Sequence, residues 1–170
     1  TLNYQIDGPK DAPETIVLIN GLADDLESWG FQIPALVEAG FRVLRFDNRG
    51  IGKTDGPLGA YSSRMMADDA KALVDLLGIR QFHLMGVSMG GMIAQEYAIA
   101  SGSDLTSLTL ACTYGMPVAF CPTMFAIWAD LARLTRVPFV MRHVALCAFT
   151  CPFVDPSPGA ASATPSRLVL

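Results

Sequence analysis

Residues 82–91 read Phe82-His83-Leu84-Met85-Gly86-Val87-Ser88-Met89-Gly90-Gly91, and this stretch decides the fold. Phe82–Met85 is a short apolar run that predicts a strand. Met89–Ala100 then places Met92, Ile93 and Ala100 on an apolar side and Gln95 and Glu96 on a more polar one, which predicts a helix. A strand that passes into a helix this abruptly must bend sharply. The bend strains the backbone of Ser88 and lifts its hydroxyl above the edge of the sheet. Gly86 and Gly90 suit it, because side chains there would collide across the turn. Ser88 also heads the helix, where free N–H groups and the dipole favour developing negative charge. A chance Gly-Ser turn or a phosphate-binding loop would share the glycines, but not the strand, turn and helix in this order.

Outward from that bend, strand and helix signals alternate, the pattern of a parallel sheet covered by helices. Leu2–Ile6 reads as a short edge strand ending at Asp7-Gly8-Pro9. Thr15–Ile19 and Phe41–Phe46 are continuous aliphatic runs of the kind buried on both faces, and Ser107–Ala111 is a further candidate strand. Ser62 or Ser63 can cap a helix whose Met66, Ala70, Leu73, Val74 and Leu77 share a face, and Gly78 stops it. Trp29–Ala39 predicts a shorter helix with Pro34 in its first turn.

Composition narrows the function. The chain has 170 residues, 51% hydrophobic and 16% charged, with a formal net charge of -4. That length suits one domain, and the low charge and high apolar fraction exclude a disordered acidic or basic chain. A pI near 5.0 with no Lys/Arg cluster predicts no nucleic-acid partner. No window reaches the ~18 uninterrupted apolar residues of a membrane helix. The N-terminus starts at Thr1 and shows no basic region followed by an apolar core, so no secretory signal is read. Cys112, Cys121, Cys147 and Cys151 are expected to be reduced, mostly buried thiols of a cytoplasmic protein, and their spacing predicts no metal site.

Two further segments carry chemical information. Ile16–Ile19 runs into Asn20-Gly21-Leu22-Ala23, a small-residue loop after a strand. There the backbone N–H of Leu22 can converge with that of Met89 on one carbonyl oxygen, each such donor contributing about 3 kcal/mol to a transition state. Gly52-Lys53-Thr54 imitates the end of a phosphate-binding loop. The first glycine of that motif falls at Asp47, and Pro57 interrupts any helix, so nucleotide binding is rejected. Asp47 and Arg49 are instead expected to hold a loop near the rim of the site.

Asn20-Gly21-Leu22, Leu44–Asp55 and Gly86–Gln95 together resemble the α/β-hydrolase fold. Within it they are most similar to 3-oxoadipate enol-lactonases and related carboxylic-ester hydrolases, over about Leu2 to Gly115. The resemblance implies a mostly parallel sheet flanked by helices and a serine hydrolase of an ester or lactone, working through an acyl-enzyme without a cofactor. Serine at position 88 disfavours the dehalogenase and epoxide-hydrolase relatives, which carry Asp there. Asn20 stands where the family more often has His, as in similar loops among the lactonases.

The same resemblance implies an acid and then a histidine after the serine. His83 lies in the strand before Ser88 and cannot fold back onto it. Asp130 and His143 satisfy the order only formally. The expected organisation is a core over 1–114, a helical cap-like segment over 115–150, and an irregular Pro/Ala/Ser-rich tail over 151–170. The tail shows no strand–helix alternation, so the chain is expected to be C-terminally incomplete, lacking the strands that bring the acid and base. Apolar surface left uncovered predicts self-association. A catalytically inactive binding or interaction protein of the same fold is the rival expectation.

Overall fold

Strands with aliphatic side chains on both faces must lie between two layers. The computed structural model, which describes residues 1–117, 120–136, 139–140 and 144, supplies both. β1 (Tyr4–Asp7), β2 (Thr15–Ile19), β3 (Arg42–Phe46), β4 (Phe82–Val87) and β5 (Leu105–Ala111) form one sheet in the order β1-β3-β2-β4-β5. β1 pairs antiparallel with β3, and every other pair is parallel. The α/β-hydrolase architecture expected of the core, mostly parallel with helices on both sides, is what the chain adopts.

On one face Val17, Ile19, Leu44, Phe46 and Leu84 pack against Met66, Ala70, Leu73 and Val74 of α2 (Ser63–Leu76) and Ile93 and Tyr97 of α3 (Met89–Ser101). On the other, Ile16, Leu18 and Val43 meet Trp29 and Ile33. Burying a side chain of that size contributes about 2 kcal/mol each. Ser62 is the residue that caps α2, accepting from the Met65 N–H at 3.2 Å, and Gly78 beyond its end adopts φ 68°.

Several boundaries differ from the sequence expectation, each for a local reason. β1 starts at Tyr4 rather than Leu2, since its ladder with β3 opens at the pair Tyr4–Phe46. β4 continues through Gly86 and Val87, which pair with Leu110 and Ala111 of β5. β5 begins two residues earlier, at Leu105. The single helix expected over Trp29–Ala39 is two: a 3₁₀ segment, Leu26–Phe31, capped by the Asp25 carboxylate, then α1 (Ile33–Glu38) with Pro34 in its first turn. In α3 the buried face is Ile93, Ala94 and Tyr97, whereas Ala100 is exposed on the far side of the last turn. Arg45, inside the aliphatic run of β3, is buried too; its guanidinium bonds Asp7 at 2.8 Å, Glu27 at 3.1 Å and the Leu26 carbonyl at 3.0 Å.

The chain divides into two compact units, Thr1–Gly115 and a second that begins at Met116. In the second, α4 (Phe120–Leu134) carries Phe125 and Trp128 with rings edge to face at 5.4 Å, and Asp130 pairs with Arg133 at 2.8 Å. No described helix is long and apolar enough to cross a membrane. Residues 151–170 lie outside the described residues.

Candidate active site

β4 delivers Ser88 and α3 carries the chain away, so one residue must absorb the change of direction. Ser88 does so at φ 55°, ψ -119°, a conformation that costs of order 1–3 kcal/mol outside glycine. The two flanking glycines are there because nothing larger fits. A Cβ at Gly86 would sit 2.2 Å from the Gly90 carbonyl oxygen, and one at Gly90 would sit 2.2 Å from that of Ile19. The bend is anchored by the Ser88 N–H, which donates to the Ala111 carbonyl at 2.9 Å, and by the Gly91 N–H, which donates to the Ser88 carbonyl at 3.0 Å. The Ser88 residue is solvent-exposed.

The loop after β2 comes alongside. A Cβ placed on Gly21 would be 3.5 Å from Ser88 Cβ, so this loop and the serine share one rim. Asn20, fully buried, shapes the loop with its side chain. Its Oδ1 accepts from Trp29 Nε1 at 2.9 Å, and its Nδ2 donates to Ser28 Oγ at 2.7 Å and to the Asp25 carbonyl. Ala23 completes the turn at φ 62°. Neither the Leu22 nor the Met89 N–H is engaged by another group among the described residues.

Asp47 organises the next loop. Its carboxylate accepts from the Leu26 N–H at 2.7 Å, the Lys53 N–H at 2.9 Å and Asn3 Nδ2 at 2.7 Å. Gly52 packs so closely on it that a Cβ there would lie 2.2 Å from Asp47 Oδ2. Arg49 pairs with Asp69 through two bonds of 2.6 Å and lies over the Tyr61 ring at 5.4 Å; hydrogen bonding to that carboxylate holds its charge more firmly than usual. The lysine and threonine of the phosphate-loop imitation thus belong to a loop pinned by a carboxylate, which would repel a phosphate.

His83 is the one histidine among the described residues, and it is occupied elsewhere. Its Nδ1 lies 2.8 Å from Ser107 Oγ and its Nε2 3.2 Å from Glu14 Oε1. It is five residues before Ser88 in an extended strand, roughly 16 Å away. His143 lies outside the described residues. Sequence reasoning passed over Asp24, whose Oδ2 would be 3.3 Å from a Cβ on Gly21. Burial first, and the neighbouring Asp25 second, push its pKa above the usual carboxylate value.

The sequence pattern described as the alpha/beta hydrolase fold matches residues 14–143. The chain belongs to that family. Among sequence relatives, RutD of Variovorax paradoxus, provisionally named a carbamate hydrolase, is 33% identical over 125 residues, covering 73% of this chain and 47% of that protein. The 3-oxoadipate enol-lactonase 1 of Acinetobacter baylyi is 35% identical over 111 residues, or 65% of this chain and 41% of that one. The enol-lactonase structure from Burkholderia xenovorans superposes with a TM-score of 0.79 at 31% identity, covering 93% of this chain and 60% of that structure. This member of the α/β-hydrolase family therefore spans less than half the length of those two sequence relatives.

Proposed function

We propose that this α/β-hydrolase acts on an ester or lactone of a small carboxylic compound, with Ser88 as nucleophile. One observation carries the reading: an exposed serine on a strained bend, beside a loop with which it presents two unengaged backbone amides. The Ser88 hydroxyl gives its proton to a base and attacks the carbonyl carbon. The ester C–O bond breaks and its oxygen takes up that proton, leaving as the alcohol (tethered as a hydroxyl in a lactone), to form an acyl-enzyme. The N–H groups of Leu22 and Met89 hold the oxygen as it gains charge, and the α3 N-terminus adds its dipole. Water then releases the acid. The reaction calls on no cofactor, metal, membrane or nucleic acid. A serine needs a base to take its proton, and we place that base and its carboxylate partner outside the described residues. The lactonase relatives point to a lactone; the RutD relative points to a carbamate, whose carbonyl the same site would attack.

The organisation we infer is a hydrolase core over 1–114, a cap-like segment over 115–150 and an irregular tail over 151–170, in a cytoplasmic protein that self-associates through the outer edge of β5, which has no strand partner among the described residues. A fluorophosphonate probe, which reacts with activated serines, tests the nucleophile in the longest chain the gene encodes. Labelling of the wild type and its loss in Ser88→Ala is the expected result; a folded, unlabelled wild type overturns it. A second reading, an inactive binding protein of the same fold, is favoured by the engagement of His83 with Ser107 and Glu14. Turnover of para-nitrophenyl esters, absent in Ser88→Ala, excludes that second reading.

A further inference from the structure

Other carboxylates on the segment after β2, or bonded to it, are spoken for. Asp25 accepts from the Glu27 N–H, Glu27 and Asp7 share Arg45, and Asp47 gathers three donors. Asp24 is different: no donor or cation engages its carboxyl among the described residues. Gly21 shows where that carboxyl points. A single carbon-sized volume above Gly21 would touch Asp24 Oδ2 at 3.3 Å and Ser88 Cβ at 3.5 Å. Because residue 21 has no side chain, nothing of its own separates the Asp24 carboxyl from Ser88 Cβ.

A half-buried carboxylate without a cation has lost part of its hydration and received nothing in exchange. Burial and Asp25 both disfavour its charge, which matches a group whose counter-charge arrives with a ligand. Separation decides how strongly a ligand feels it. A group on the acyl chain beside Ser88 would lie well inside the ~8 Å over which salt screens charges. Discrimination of this kind comes as much from repulsion of the wrong partner as from attraction of the right one.

We propose that Asp24 selects substrates at the Ser88 site: it favours esters whose acyl chain carries a cationic or hydrogen-bond-donating group and disfavours those whose acyl chain ends in a carboxylate. The inference rests on the reading of Ser88 as nucleophile. Its test uses three para-nitrophenyl esters in the longest chain the gene encodes: the trimethylammoniobutyrate (cationic), the butyrate (neutral) and the hydrogen succinate (anionic). At pH about 8, far above the ordinary carboxylate range, kcat/KM falls in that order. Asp24→Asn narrows the gap between cationic and anionic esters by about tenfold. Asp24→Lys reverses the order, which separates charge from any change of shape. An order and spread unchanged in both variants, with turnover still lost in Ser88→Ala, overturns the role of Asp24 alone. Turnover that survives Ser88→Ala overturns the nucleophile and this inference with it.

Discussion

The two flanks of β4 are built from similar residues and end in different environments. On one side β2 is buried from Ile16 to Ile19, with helices or the 3₁₀ segment over both faces and strands at both edges. On the other, β5 leaves Leu108 37% and Leu110 42% exposed, and its outer edge has no strand partner among the described residues. The leucines of β5 alternate with Ser107 and Thr109, so the strand offers one apolar face that the described helices only partly cover. A strand's sequence therefore specifies its pairing more firmly than its burial. Burial needs a second layer, and a second layer is supplied by distant parts of a chain.

The largest effect that contrast predicts is at the seam between β2 and the bend. Gly90→Ala forces a Cβ into the Ile19 carbonyl and should cost about 3 kcal/mol or more, read as a fall in the urea midpoint. Next comes a matched pair. Leu18→Ala, in the sealed flank, should cost about 3 kcal/mol, and Leu110→Ala, in the open one, less than about 1 kcal/mol. Equal losses would show that β5 is covered in solution and would break the comparison. Asp47→Ala strands the buried Leu26 N–H and two further donors, with an expected cost of about 2 kcal/mol by the same measurement.

The smallest effect sharpens the comparison through pH. The Tyr97 phenol, buried against Phe82 and donating to Asp104 at 2.9 Å, is held far above its ordinary range, by burial first and by that carboxylate second. The folded state thus keeps this proton where the unfolded state releases it. Stability should fall as pH rises above 10.0, the unperturbed value, and not below it. Tyr97→Phe should lose about 1 kcal/mol at neutral pH and remove that alkaline loss, measured by thermal melts across the alkaline range.

What could be read from sequence follows the range of the forces involved. Thr15–Ile19 was legible to the residue, because an unbroken aliphatic run has one good solution. The Ser88 bend was legible because a local turn imposes its glycines. The place of Arg45 was not: a charged residue in an apolar run becomes intelligible only when Asp7 and Glu27, far along the chain, close around it. Asp24 stayed hidden for a related reason, since its carboxyl and Ser88 Cβ meet around Gly21 only once the loop after β2 folds beside the bend after β4. The break at Gln32 was not legible either: Pro34 stands in a first helical turn as expected, but that turn opens a second segment rather than the start of one helix from Trp29.

The amide of Ser88 is tied to the carbonyl of Ala111, the last residue of the least protected strand. Fraying of that margin and loosening of the Ser88 bend are consequently one event. Deuterium uptake at the Ser88 amide should keep pace with uptake along β5 and outrun that of β2, which makes a single exchange rate a gauge of how often the site comes undone.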